Sequence, residues 1–217
     1  MTEKISSQKI TLHHYWRSSC SWRVRWALKI KGIPYDTVPV NILTSEQKSP
    51  AYLAKNPSGF LPGLEINGKV YGESLAMIDW LEETYPEPSL LPKDPFDRMR
   101  VRQLAMIIAS GTQPLQNPSV LSYYTEDGEK KKTDAAYWIA KGLRTFQEVR
   151  LAGKPGLFSF GNDVTVADLC LIPQIYNALR FDVNMDGLQD LKEIYDRCLK
   201  LPACNAAAPH NQEGASA

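Results

Sequence analysis

The segment Tyr15-Trp16-Arg17-Ser18-Ser19-Cys20-Ser21-Trp22-Arg23-Val24-Arg25 gathers the residue types best suited to chemistry. It joins an expected strand to an expected helix. At such a turn, free backbone N–H groups and the positive end of the helix dipole stabilise an anion. A hydroxyl from Ser18 or Ser19 can donate to a bound thiolate, and the Cys20 thiol can itself become more acidic there. Simple N-capping by Ser18 or Ser19 is the competing reading. No second cysteine completes a C-x-x-C pair, which argues against a dithiol oxidoreductase.

Three further places carry candidate groups. Phe60-Leu61-Pro62-Gly63 stands at the mouth of a strand, where proline is tolerated on the N-terminal edge. In a thioredoxin-like arrangement the Leu61–Pro62 bond is expected to be cis, with the Leu61 N–H and C=O turned out of the sheet. Glu73-Ser74 begins a helix: the Ser74 hydroxyl and N–H can hold a carboxylate while Glu73 accepts from an ammonium, or the pair is a cap and a solvated acid. Gln113-Pro114-Leu115-Gln116-Asn117-Pro118 places three amides at a proline break, available to a ligand or to the carbonyls that the break frees. Arg180 ends an apolar helix. Its planar fork suits a substrate carboxylate, and its charge equally suits a helix C-terminus.

Other residues read as packing. Trp22 and Trp26, four apart, share one helix face. His13 and His14 point to opposite faces of a strand and His210 lies in an expected flexible tail, so no metal site is expected. Lys130-Lys131-Lys132 belongs to an expected charged loop, Glu126 to Asp134, and is too short for a nucleic-acid footprint. Cys170, Cys198 and Cys204 read as small hydrophobes.

The elements that must position these groups divide at the prolines of Pro86-Glu87-Pro88 and Pro92-Lys93-Asp94-Pro95. Before them, strands at Ile10 to Tyr15 and Pro34 to Val40 flank a helix from Trp22 to Lys31. A helix from Ser45 to Ala54 follows. Leu61 to Ile66 and Lys69 to Tyr71 then flank Asn67-Gly68, a strong type I′ hairpin signal. Ser74 caps a helix with Leu75, Ile78 and Leu81 inward. The order β-α-β-α-β-β-α predicts a small mixed sheet of thioredoxin-like outline, with the first two strands parallel and the hairpin antiparallel. After the prolines only helical periods appear, from about Phe96, from about Asp134 to Leu151, from Thr165, and from Gly187 to Lys200. Thr165-Val166-Ala167-Asp168 predicts a capping box. The expected fold is therefore an α/β domain (residues 1–87), a proline-rich linker (88–95) and an all-helical domain (96–217), with a ligand cleft between the domains.

Composition narrows the function. The chain has 217 residues, 25 Lys+Arg against 24 Asp+Glu and four cysteines. Near-neutral charge excludes the basic stripe that dominates nucleic-acid affinity. No apolar run reaches the roughly 20 residues of a membrane span, and the polar start lacks a secretory h-region. A soluble, cytoplasmic protein is expected, and its function has to come from particular residues.

Arg17-Ser18-Ser19-Cys20-Ser21-Trp22-Arg23-Val24-Arg25 resembles the signature of the zeta class of glutathione transferases, the maleylacetoacetate isomerase family. The resemblance continues through Asn56-Pro57, Leu61-Pro62, Glu73-Ser74-Leu75-Ala76 and Gln113-Pro114-Leu115-Gln116-Asn117. It reappears at Gly161 to Pro173 and at Asn177-Ala178-Leu179-Arg180-Phe181. It implies a homodimer of the glutathione transferase fold with glutathione as cofactor and a small acidic electrophile as substrate. By the same resemblance, Ser18 bonds the glutathione thiolate, with Ser19 and Cys20 beside it. The Leu61 main chain pairs with the cysteinyl part, Glu73 and Ser74 hold the γ-glutamyl end, and Gln47, Gln113 and Asn117 add polar contacts. Arg180 takes a substrate carboxylate. Leu61 stands where the family commonly has Val, Gly63 where Thr or Ala is common, and Glu73 where Gln is frequent. The implied reaction is cis–trans isomerisation of maleylacetoacetate or a related keto acid. A transferase acting on small α-halo acids, a monothiol reductase using Cys20 and a non-catalytic binding module are the competing readings.

Overall fold

The computed structural model describes residues 9–215; the polar start at residues 1–8 lies outside them. The chain forms two compact units. One comprises the chain up to Ser89 together with the segment from Leu201 onward, and the other is Leu90–Lys200. Two expectations change. Leu90 and Leu91 are buried, and the Leu90 carbonyl accepts from the Val166 N–H at 3.0 Å, so they belong to the helical unit and not to a linker. The C-terminal segment belongs to the α/β unit.

The first unit is built on a four-stranded sheet of order β2-β1-β3-β4. β1 (Ile10–His14) is central, and β2 (Asp36–Pro39) pairs with it in parallel on one edge. All four β2 residues are exposed, and Pro39 sits where an edge strand can spare an N–H. β3 (Gly63–Ile66) runs antiparallel to β1 and forms a hairpin with β4 (Lys69–Tyr71). The turn is Asn67 at φ 50° and Gly68 at φ 80°, the left-handed pair that a type I′ turn requires.

α1 (Ser19–Ile30) starts three residues before the expected Trp22, because Ser18 is its N-cap. Trp22, Val24, Trp26, Ala27 and Leu28 are all buried. The expected helix from Ser45 to Ala54 is instead two 3₁₀ turns, Ile42–Thr44 and Glu46–Lys48, followed by the four-residue α2 (Pro50–Leu53). Proline disfavours a helical conformation in the residue before it, and Ser49 is accordingly extended at ψ 147°. α3 (Ser74–Thr84) has Glu73, not Ser74, at the N-cap position, and it buries Met77, Ile78 and Leu81, with Leu75 only half-buried.

In the second unit α4 (Pro95–Ala109) is capped by Asp94, and a 3₁₀ turn at Gln113–Gln116 leads to α5 (Pro118–Tyr124). α6 (Gly128–Leu151) absorbs the expected charged loop. Asp127 accepts from the Glu129 and Lys130 N–H groups, so the helix begins six residues before Asp134. α7 (Val166–Arg180) opens with the expected capping box: the buried Asp168 carboxylate accepts from the Thr165 and Ser159 N–H groups, both at 2.8 Å. α8 (Gln189–Leu199) is followed by α9 (Pro202–Ala207), which packs against α1 and brings the C-terminal segment back to the first unit. The expected flexible tail is therefore ordered as far as His210, which lies in a 3₁₀ turn at Pro209–Asn211.

Candidate active site

Strand register gathers the candidates of the first unit. His13 pairs with Gly63, Leu64 with Tyr71, and His14 with Pro39. The end of β1, the start of β3, the end of β4 and the end of β2 therefore lie at one end of the sheet. Ser18, Ser19 and Cys20 follow β1, Leu61 precedes β3, Glu73 and Ser74 follow β4, and Gln47 follows β2. Four segments far apart in sequence converge there.

Ser18 is half-buried, and its hydroxyl accepts from the Ser21 N–H at 3.2 Å, as an N-cap should. No described residue accepts the proton of that hydroxyl, so capping and donation to a ligand are compatible. Ser19 is buried, and Cys20 is the only one of the four free cysteines that is not buried.

Leu61 lies just outside the β-ladder, and its bond to Pro62 is cis, as expected. The preceding carbonyl, Phe60 O, accepts from both the Tyr52 hydroxyl and Asn56 Nδ2, each at 2.9 Å. Tyr52 also explains Gly63. A Cβ there would stand 3.0 Å from the Tyr52 oxygen and 2.9 Å from Val70 Cγ1.

Glu73 adopts φ 62°, ψ 102°, a conformation that costs a non-glycine residue about 1–3 kcal/mol, and its side chain makes no cap. The first N–H groups of α3 are thus left for an external acceptor. The Ser74 hydroxyl is buried and accepts from Arg23 Nη1 at 3.2 Å. Gln47 Oε1 is buried and has no hydrogen-bond partner among the described residues.

A cavity of about 390 Å³ is lined by Tyr15, Trp16 and Arg17 of the same turn and by Glu213 and Gly214 of the C-terminal segment. Arg17 also lies over the Trp16 ring at 5.1 Å. Sequence reasoning did not single out Arg17. The signal was its place immediately before Ser18.

The second unit holds the remaining candidates. Gln113 opens the 3₁₀ turn. Asn117 caps α5, its Oδ1 accepting from the Ser119 N–H at 3.0 Å and the Ser119 hydroxyl at 2.8 Å. Gln116 instead is buried against Gln174 of α7, with an Nε2–Oε1 distance of 2.6 Å. Arg180, the last residue of α7, is exposed. It donates to Asn177 Oδ1 at 3.1 Å and lies 5.5 Å from the Phe181 ring centre.

His13 bonds Glu65 and His14 bonds Arg25, each on its own side of β1. Among the described residues no group of three or more His, Cys, Asp or Glu side chains could hold a metal ion, and no helix is long and apolar enough to cross a membrane.

A thioredoxin-like sheet unit with an all-helical unit is the architecture of the glutathione transferases. Residues 12–89 match the family profile described as the glutathione S-transferase N-terminal domain. The chain is 43% identical to a probable maleylacetoacetate isomerase of Drosophila melanogaster, over 93% of this chain and 88% of that one. Its fold matches maleylacetoacetate isomerase of Anaeromyxobacter dehalogenans, solved with glutathione in the active site, at TM-score 0.88 and 40% identity, covering 97% and 99% of the two chains. It also matches a maleyl pyruvate isomerase described as a bacterial zeta-class glutathione S-transferase, at TM-score 0.92 and 34% identity, covering 95% and 100%. The chain belongs to the maleylacetoacetate isomerase family of zeta-class glutathione transferases.

Proposed function

We propose that this protein is a glutathione-dependent cis–trans isomerase of maleylacetoacetate, giving fumarylacetoacetate, or of a closely related cis-enedioyl keto acid. The convergence, at one end of the sheet, of the segments that carry Ser18, Leu61, Glu73 and Ser74 carries the reading.

These residues fit glutathione. The uncapped first turn of α3 and the Ser74 N–H suit a carboxylate, Glu73 suits an ammonium, and Gln47 Oε1 is a buried acceptor with no described donor. The Leu61 main chain suits an amide. Gln113 and Asn117 are the polar candidates of the helical unit. When bound, glutathione supplies a thiolate that adds reversibly to a conjugated double bond and so permits rotation about it.

The Ser18 hydroxyl and the N-terminus of α1 together favour an anion at that turn, with Ser19 and Cys20 beside it. Arg180 offers a bidentate fork to a substrate carboxylate, and holding a dicarboxylate in register is most of what the reaction asks of the protein. All four cysteines are free, which agrees with a cytoplasmic, reducing setting.

The expected assembly is a homodimer. In the first unit, Leu64, Ile66, Met77 and Trp80 line an apolar groove of about 550 Å³. In the second, Phe96, Met99 and Met106 are exposed on one face of α4. A second copy of the chain would cover such surfaces.

Proton NMR of the keto acid with substoichiometric glutathione tests the function. Many turnovers per glutathione are expected. Consumption of one glutathione per product would replace the isomerase by a transferase.

A further inference from the structure

Arg25, in the second turn of α1, is completely buried. Its guanidinium reaches four acceptors in two parts of the chain, residues 14–16 and Ala207. Nε donates to the Ala207 carbonyl at 2.9 Å and Nη2 to the Trp16 carbonyl at 3.0 Å. Nη1 meets His14 Nδ1 at 3.0 Å and the Tyr15 carbonyl at 3.5 Å. The Tyr15 carbonyl in turn accepts from the Ser18 N–H at 3.0 Å. One buried cation therefore ties two consecutive carbonyls of the turn ahead of Ser18 to the last residue of α9.

Burying a guanidinium is expensive, and an apolar side chain would fill the inner face of α1 as Trp22 and Leu28 do. What an apolar residue cannot do is join these carbonyls. Both joined segments also line the 390 Å³ cavity, the turn through Tyr15, Trp16 and Arg17 and the C-terminal segment through Glu213 and Gly214.

We propose that Arg25 is a positioning residue for the reaction: through His14 Nδ1 and the Tyr15, Trp16 and Ala207 carbonyls it holds the Ser18 turn and the C-terminal wall of the adjoining cavity in one geometry. The proposal deepens the functional reading and rests on Ser18 as the group that serves the thiolate.

Arg25→Lys tests it, since lysine keeps the charge but cannot span acceptors in both segments. Cys20, the one cysteine that is not buried, reports the turn directly. Its alkylation rate by iodoacetamide is measured in the protein without glutathione, well below the melting temperature. The variant is expected to alkylate at a clearly altered rate and to lose roughly 10- to 100-fold in kcat, as displaced catalytic groups do, while glutathione Kd changes little. His14→Phe removes one of the acceptors and should move the same readouts in the same direction by less. A lowered melting temperature with unchanged Cys20 rate and unchanged kcat overturns the proposal. If Arg25→Lys does not fold, an unchanged Cys20 rate in His14→Phe overturns it. A wild-type chain inert toward the keto acid would remove the functional reading, whereas the Cys20 rates would still decide whether Arg25 sets the turn.

Discussion

Arg23 Nη1 donates to the Ser74 hydroxyl at 3.2 Å inside the first unit, tying the second turn of α1 to the first residue of α3. α1, which begins at the proposed thiolate end of the site, is thereby fastened to the start of α3, the proposed γ-glutamyl end. Ser74→Ala withdraws this acceptor from a buried cation, and a loss of about 1–3 kcal/mol is expected. Urea denaturation reads the stability, and calorimetry of glutathione binding should show weakened affinity. Lowered stability with unchanged affinity would confine Ser74 to the fold.

Ser18 caps α1 and, on the proposed reading, also donates to the thiolate, and substitution can separate these two roles. Ser18→Ala removes the cap of α1, costing about 0.5–2 kcal/mol, and removes the donor to the thiolate. Ser18→Asp keeps a good cap but places a negative charge beside sulfur. Both should raise the pKa of bound glutathione, measured by thiolate absorbance, whereas only the alanine variant should melt earlier. An unchanged thiolate titration in both would move the donor role away from Ser18.

Arg180 is expected to act on charged substrates selectively. A charge-assisted hydrogen bond is worth about 1.5–3 kcal/mol, so Arg180→Ala should lose roughly 10- to 150-fold in kcat/KM for a diacid. Arg180→Lys should recover part of this, and glutathione affinity should hardly move. Its other contacts, with Asn177 and the Phe181 ring, support the end of α7. Equal losses on a charged and a neutral electrophile, with a lower melting temperature, would assign it to that support alone.

His14 gives the fold a pH dependence of defined sign. Burial, the Arg25 charge and the neighbouring His13 lower its pKa from 6.5 to about 4. Between those values the unfolded chain takes up a proton that the folded chain refuses. Stability from this group is therefore complete above about pH 6.5 and falls as pH drops toward 4, by roughly 3 kcal/mol in all. Melting curves from pH 7 to 4 should show the decline, and His14→Phe should flatten it. An equal slope in the variant would assign the decline to other groups.

The features legible in the sequence were those whose cause lies within a few residues. Asn67-Gly68 made the hairpin because both residues accept positive φ, and Thr165 with Asp168 made the capping box across three positions. The Ser18-Ser19-Cys20 turn was recognisable for the same reason, as a strand ending where a capped helix begins. Local signals also misled. The charged run from Glu126 read as a loop, although one capping aspartate, Asp127, was enough to start α6 there.

Tertiary structure decided the rest. The segment Pro202–Ala207 is short, small and free of any strong pattern, so nothing in its own residues announced that it packs on α1 in the first unit. No local pattern marks Arg23 and Arg25 for burial, yet both are buried, and each has an acceptor distant in the chain. Arg25 and Ala207 are 182 positions apart, and Arg23 and Ser74 are 51 apart. A capping hydroxyl or a turn glycine finds its partner within its own loop. A buried guanidinium takes whichever carbonyls the packing of strands and helices brings within 3 Å, and only the folded chain determines which those are.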